Sequence, residues 1–183
     1  GADDLTAKMI QIFDALILAN YWRAMDKKPV ELRELTRKAL EPFLAQDDGN
    51  RIVTRGLSDS LPELVVIGDR EQLETVIASL VSNGLKYSMG RGIVHVTVRP
   101  TEGGARISVC DRGIGVLDAE LSSIFDGFSR GGNLEGRDPG GLGLGLYVSA
   151  MIVRQHGGKI WVESDGQTGA QFHVELPTNP VVV

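Results

Sequence analysis

Residues 69–88 read Asp-Arg-Glu-Gln-Leu-Glu-Thr-Val-Ile-Ala-Ser-Leu-Val-Ser-Asn-Gly-Leu-Lys-Tyr-Ser. Leu73, Val76, Ile77, Leu80, Val81 and Leu85 recur at helical spacing, so one face of this stretch is apolar. Asp69 stands where an N-cap belongs, with Gln72 three residues on in the manner of a capping box. Beside the apolar stripe, Ser79, Asn83 and Lys86 fall on a shared face. A hydroxyl, an amide and an ammonium aligned in this way suit a metal-bridged polyphosphate: the amide oxygen can ligate Mg2+, and the ammonium is a point charge for phosphate oxygens. Taken alone, these three residues are more simply accounted for as a solvated polar face.

Working outward, Leu64-Val65-Val66-Ile67 is a short, almost wholly apolar run and predicts a buried strand, with a second short strand near Ile52-Val53. A helix is expected through Leu32, Leu35, Ala39, Leu40 and Phe43, before the polar turn at 46–50. Residues 2–25 repeat Leu5, Met9, Ile12, Leu16 and Ala19 in a heptad-like seam, widened by Ile10, Phe13 and Ile17. That pattern predicts a member of a helical bundle, and Lys27-Lys28-Pro29 breaks it. On the other side, Val94, Val96 and Val98 alternate with His95, Thr97 and Arg99, and residues 106–110 repeat the alternation after a turn at Glu102-Gly103-Gly104. A later helix stops at His156-Gly157-Gly158, and strands over 159–163 and 170–176 close the chain before a frayed tail at 177–183. The fold class is α+β, with an antiparallel-rich sheet covered by helices.

Composition narrows the function. The 183 residues carry 19 Lys+Arg against 24 Asp+Glu, and the resulting charge of −5, with no basic run, argues against nucleic acid as a partner. No apolar run approaches the roughly 20 residues of a membrane helix, and the opening residues have no signal-peptide pattern. A single cysteine, Cys110, supplies neither an intrachain disulfide nor a multi-cysteine zinc site. Glycine is the unusual count, at 23 residues where about 7% is ordinary, and it concentrates between Gly103 and Gly145.

Two glycine clusters there have a chemical reading. Asp111-Arg112-Gly113-Ile114-Gly115 places a carboxylate at the end of a buried strand, then a turn where backbone can approach a ligand, and the carboxylate could accept from an exocyclic amine. Gly141-Leu142-Gly143-Leu144-Gly145-Leu146 opens a helix, where amides and the helix N-terminus favour an anion. It lacks the Gly-Lys-Ser/Thr of a P-loop and the βαβ setting of a dinucleotide fingerprint. Between the clusters, residues 129–139 are polar and glycine-rich with Leu134 as their one apolar residue, a composition suited to a mobile lid anchored by Phe125 and Phe128.

Taken together and in order, these segments resemble the ATP-binding domain of bacterial sensor histidine kinases, in the superfamily shared with gyrase, mismatch-repair and chaperone ATPases. The resemblance lies in residues 79–88 as an asparagine box, 111–115 as a first glycine box, 124–130 as a phenylalanine box and 141–146 as a last glycine box, followed by Gln155-His156-Gly157-Gly158. It implies a two-layer α/β sandwich with a mixed, mostly antiparallel sheet and a mobile ATP lid. It also implies that Asn83 ligates Mg2+, that Lys86 contacts the terminal phosphates, that Tyr87 lies against adenine or ribose, and that Asp111 reads the adenine amino group. Gly113, Ile114 and Gly115 would border the base; Arg130, Gly141, Leu142, Gly143, Leu144 and Gly145 would line the phosphate end. Ser79 stands where the family usually has a second asparagine, and Leu142 where it favours threonine.

The same resemblance implies a division at 1–28, the second part of a dimerisation hairpin, and 29–183, the ATP-binding domain. His95, His156 and His173 all belong to the sheet domain, so the phosphoacceptor histidine is expected outside this sequence and the chain is not expected to phosphorylate itself. The implied activity is transfer of the ATP γ-phosphoryl group to a histidine of the dimerisation domain in two-component signalling. Implied partners are that phosphoacceptor domain, a response regulator and a second copy in a homodimeric parent. A cytoplasmic location is implied, with anchoring of a parent to a membrane left open. The alternative is a degenerate ATP-binding module acting through dimerisation or partner docking, for which Ser79 speaks and Asn83, Lys86, Asp111 and the last glycines do not.

Overall fold

The carboxylate of Asp69 accepts the Gln72 amide at 3.1 Å and so starts the helix Arg70–Tyr87 as the sequence requires. This helix belongs to a computed structural model that describes residues 24–45, 51–88, 92–126 and 144–178. In chain order the elements are β1 (Lys27–Glu31), α1 (Leu32–Leu44), β2 (Ile52–Arg55), β3 (Val65–Asp69), α2 (Arg70–Tyr87), β4 (Val94–Thr101), β5 (Gly104–Cys110), α3 (Gly145–Gln155), β6 (Lys159–Ser164) and β7 (Ala170–Pro177). The bundle-type helix expected within 2–25, except for the non-helical Ala24 and Met25, and the lid at 129–139 lie outside the described residues.

Five strands form one sheet in the order β2-β4-β5-β7-β6. Only β2 and β4 run parallel; the other pairings are antiparallel, which gives the mixed, mostly antiparallel sheet. Alternation assigns the two faces. Val94, Val96 and Val98 of β4, Ala105, Ile107 and Val109 of β5, and Phe172, Val174 and Leu176 of β7 are buried in one core with Leu73, Val76, Ile77, Leu80 and Val81 of α2. The α1 residues Leu32, Leu35, Ala39 and Leu40 and the α3 residues Val148, Ile152 and Val153 complete that layer. Helices therefore cover one sheet face, and the predicted two-layer sandwich is the observed architecture.

The opposite face holds its own polar network. His173 stacks on Trp161 with ring centroids 5.0 Å apart, and its Nδ1 lies 2.8 Å from the Ser108 hydroxyl. Arg106 lies over the Trp161 ring at 4.8 Å and binds Glu175 through Nε and Nη2.

One strand departs from expectation. Lys27-Lys28-Pro29, read from sequence as a helix break, opens β1, which pairs antiparallel with β3 from Lys27↔Asp69 to Glu31↔Val65 and so spans the division expected between 28 and 29. Three of its five residues are exposed, so it has no alternation to find; pairing with the apolar β3 creates it. Glu31 then ends the strand and caps α1, accepting the Glu34 amide at 2.7 Å and the Leu64 amide at 3.1 Å.

His156 ties α3 to the start of α2. Its Nε2 accepts the Asp69 amide at 2.9 Å, which places the proton on Nδ1, and Nδ1 donates to the Ile152 carbonyl at 2.7 Å. A side chain at residue 68 would collide with that imidazole, so Gly68 makes room for it. Burial holds the His156 pKa below 6.5 despite the bond to Ile152, and burial does the same for His173 despite the nearby Glu163 carboxylate. Both imidazoles are neutral in the folded state and protonate more readily when unfolded. Stability from this source is complete above about pH 6.5 and declines as the pH falls below it, by at most about 1.4 kcal/mol per histidine per pH unit. Thermal unfolding at pH 7.5 and 5.8 is expected to give the lower Tm at 5.8; an equal or higher Tm there contradicts the assignment.

Candidate functional site

The polar face of α2 sits between two neighbours. Toward the helix middle, Ser79 is buried at 4% exposure, and a Cβ added to Gly145 would fall 2.8 Å from its hydroxyl. A glycine at 145 thus lets the first turn of α3 come against Ser79. Leu144, the N-cap of α3, makes no side-chain capping bond, and the first turn contains no acidic residue. A helix start without a side-chain cap or a first-turn acid is a setting that can receive an anion. Asn83 and Lys86 continue the Ser79 face toward the C-terminus of α2, both half-buried. The Lys86 ammonium lies 5.2 Å from the centroid of the Tyr87 ring.

Toward its C-terminus α2 meets the turn after β5. A Cβ on Gly84 would touch the Asp111 side chain at 3.7 Å, and one on Gly113 would fall 2.3 Å from the Tyr87 carbonyl oxygen. Two glycines, one in each element, thus permit the contact. Asp111 is buried at 6% exposure; its Oδ1 accepts the Gly113 amide at 2.8 Å, and its own amide donates to the Ala170 carbonyl at 2.9 Å. Burial raises its carboxyl pKa above the ordinary 3.8, opposed by the backbone hydrogen bonds of Gly113 and Ala170. Oδ1 has a structural task, so a ligand donor would be read by Oδ2.

The turn itself is fixed by residues that carry no motif. The Ser164 hydroxyl accepts the Val116 amide at 2.9 Å and the Gly166 amide at 3.1 Å and donates to the Gly169 carbonyl at 2.7 Å. Gly169 has φ +117°, and a Cβ there would fall 2.1 Å from the Asp111 carbonyl oxygen. Gly115, at φ +72°, packs against Gly166 and Gln167 of the same β6–β7 turn. Beyond the turn, Phe125 packs edge-on against Phe172 with ring centroids 6.3 Å apart.

The structure therefore brings Ser79, Asn83, Lys86, Tyr87, Asp111, Gly113 and Gly145 around the C-terminal half of α2, with Ile114, Gly115 and Leu144 at its borders. Arg130, Gly141, Leu142 and Gly143, with Phe128, lie outside the described residues. Ser164 and Gly169 carry no site signal in the sequence because the residues of the Asp111 turn that they fix, Val116 and Asp111, lie about 50 positions or more upstream. Among the described residues no group of three or more His, Cys, Asp or Glu could hold a metal ion, so a divalent cation here would depend on Asn83 and on oxygens of the ligand itself.

The chain matches a protein family described as histidine kinase-, DNA gyrase B-, and HSP90-like ATPase over residues 68–180. Among curated proteins it is 32% identical to the alginate biosynthesis sensor protein KinB of Pseudomonas aeruginosa, over 96% of this chain and 29% of KinB. It is likewise 32% identical to the sensor-like histidine kinase SenX3 of Mycobacterium tuberculosis, over 88% of this chain and 43% of that protein. The chain thus spans less than half the length of these relatives. Among solved structures, full-length ShkA in complex with AMPPNP superposes with a TM-score of 0.71 at 25% identity, covering 93% of this chain and 36% of ShkA.

Proposed function

Because this chain belongs to the family of histidine kinase-, DNA gyrase B-, and HSP90-like ATPases, we propose that it binds Mg2+–ATP along the C-terminal half of α2 and serves as the catalytic domain of a sensor histidine kinase. The observation carrying this reading is the buried Asp111 carboxylate, with one oxygen tied to Gly113 and the turn packed on α2 at Gly84 and Tyr87. Asp111 accepts from the adenine amino group. Tyr87 and Ile114 flank the base. Asn83 supplies an amide oxygen to Mg2+, and Lys86 neutralises phosphate charge as it shifts in the reaction. Leu144 and Gly145 present backbone amides at the α3 N-terminus to phosphate oxygens, joined by Gly141 and Gly143.

In the reaction, an imidazole nitrogen of a histidine forms the new N–P bond while the γ-phosphorus bond to the bridging oxygen of ADP breaks. This domain contributes position and charge neutralisation, which is most of what phosphoryl transfer asks of a protein. The acceptor histidine is assigned to a phosphoacceptor domain whose final helix lies within residues 1–28, ahead of β1, with 29–183 as the ATP-binding part. A response regulator receives the phosphoryl group next, and the parent works as a homodimer. The sensor-kinase relatives support the kinase reading, and these partners and a cytoplasmic position for this domain follow from that reading. Among the described residues no helix is long and apolar enough to cross a membrane.

Isothermal titration with a non-hydrolysable ATP analogue tests the reading. Saturable binding that is tightened by Mg2+ is expected, and Asn83→Ala is expected to remove about tenfold of that tightening, in line with loss of one good ligand. Absence of binding at millimolar analogue overturns the proposal and leaves a degenerate module.

A further inference from the structure

Arg51 immediately precedes β2, on the far side of α2 in sequence from every glycine motif. Its guanidinium reaches the C-terminal end of that helix: Nη2 donates to the Leu85 carbonyl at 2.9 Å and to the Ser88 hydroxyl at 2.6 Å, and Nε donates to the Gly92 carbonyl at 3.1 Å. Leu85 contributes one of the last four helix carbonyls, which lack partners within the helix and favour a cation. Around the clamp, the Ser88 amide donates to Gly84, the Ser88 hydroxyl also reaches Leu85, and the Gly92 amide donates to Ser88. A single planar group thus fixes the end of α2 and the point where the chain leaves for β4.

The clamped turn is the one that meets Asp111. Leu85 and Ser88 bracket Lys86 and Tyr87, and the Tyr87 carbonyl abuts Gly113. We propose that Arg51 is a positioning residue for the nucleotide site, setting the distance between the end of α2, which it holds, and the Asp111 turn, which it does not touch. This rests on the nucleotide reading above. A lysine in its place would keep the charge but not the fork that spans three acceptors.

Arg33 provides a matched control. It too bridges backbone carbonyls, donating to Gly56 at 2.9 Å and Pro62 at 2.6 Å, but it is buried and stands on α1 away from the site, whereas Arg51 is half-buried. The full chain is compared as wild type, Arg51→Gln, Arg51→Lys and Arg33→Gln, at a temperature where each is fully folded. Two measurements are made: affinity for the Mg2+–ATP analogue and hydrogen exchange of the Ser88 and Gly113 amides. Arg51→Gln is expected to weaken affinity at least tenfold and to speed exchange at both amides, and Arg51→Lys to fall between it and wild type. Arg33→Gln is expected to lower Tm yet keep affinity within twofold and leave both amides unchanged. Affinity of both Arg51 variants within twofold of wild type, or equal weakening by Arg33→Gln, overturns the inference. If Arg51→Gln does not fold, Arg51→Lys decides alone. If the wild type binds no analogue, the nucleotide reading fails instead, and exchange at Gly113 still decides whether Arg51 holds the turn.

Discussion

Asp111→Asn is expected to weaken binding of the adenine nucleotide about 100-fold while leaving the fold intact or slightly more stable. The two effects separate because the carboxylate has two roles on two oxygens. The amide oxygen of asparagine can still accept the Gly113 amide, now made at 2.8 Å, so the turn survives. The other position becomes an NH2, a donor facing the donor amine of adenine. Losing a hydrogen bond to a charged group costs about 1.5–3 kcal/mol, and 2.7 kcal/mol is 100-fold in affinity. Stability moves the other way. Burial raises the Asp111 pKa, so its ionisation at neutral pH opposes folding, and a neutral isostere removes that cost. Titration calorimetry paired with thermal unfolding checks both halves. Affinity within threefold of wild type would remove Asp111 from the adenine-reading role, and a large fall in Tm would make the residue chiefly structural.

Gly113→Ala has the second large effect, on fold and site together. A Cβ there would meet the Tyr87 carbonyl oxygen at 2.3 Å, its carbon at 2.7 Å and Asp111 Oδ1 at 2.9 Å. Two of these atoms are backbone, so no side-chain rotation relieves the clash and the turn must move away from α2. Overpacking of this kind costs about 2–3 kcal/mol, or about 5–10 °C in Tm for a chain of this size. Nucleotide affinity is expected to fall with it, since Asp111 and Tyr87 are forced apart. Gly103→Ala is the comparison: its φ of +82° is also costly for alanine, but nothing lies within 4 Å of the added Cβ. That variant is expected to lose about 1 kcal/mol and bind as wild type. Similar melting of Gly113→Ala and wild type would show that the close contact is not maintained in solution.

Much of the fold is legible in the chain because local signals and tertiary burial agree. The stripe from Leu73 to Leu85 is the buried face of α2, and the Val94-Val96-Val98 alternation is the inward face of β4. Where local signal is missing, so was the reading. β1 exists only through β3, and the parallel pairing of β2 with β4 has no signature in four residues, three of them exposed. The site divides in the same way. As candidates, Asn83, Lys86 and Asp111 stand out in the sequence by chemistry and spacing. Arg51 and Ser164 carry no such signal, because their work is done on carbonyls and amides whose positions only the folded chain reveals.

The β6–β7 hairpin contains none of the boxes by which the chain is recognised, yet Asp111 depends on it: its amide is held by Ala170, its carbonyl is packed on Gly169, and the following turn hangs on Ser164. Recognisable motif and minimal working unit are therefore different stretches of this sequence. A shortened version ending at the last glycine box, or at the His156-Gly157-Gly158 helix stop, would retain every signature and lose the frame that aims the carboxylate. For anyone grafting or trimming this domain, the boundary to respect is the far end of β7, set by the hydrogen-bonding needs of a residue about 60 positions upstream.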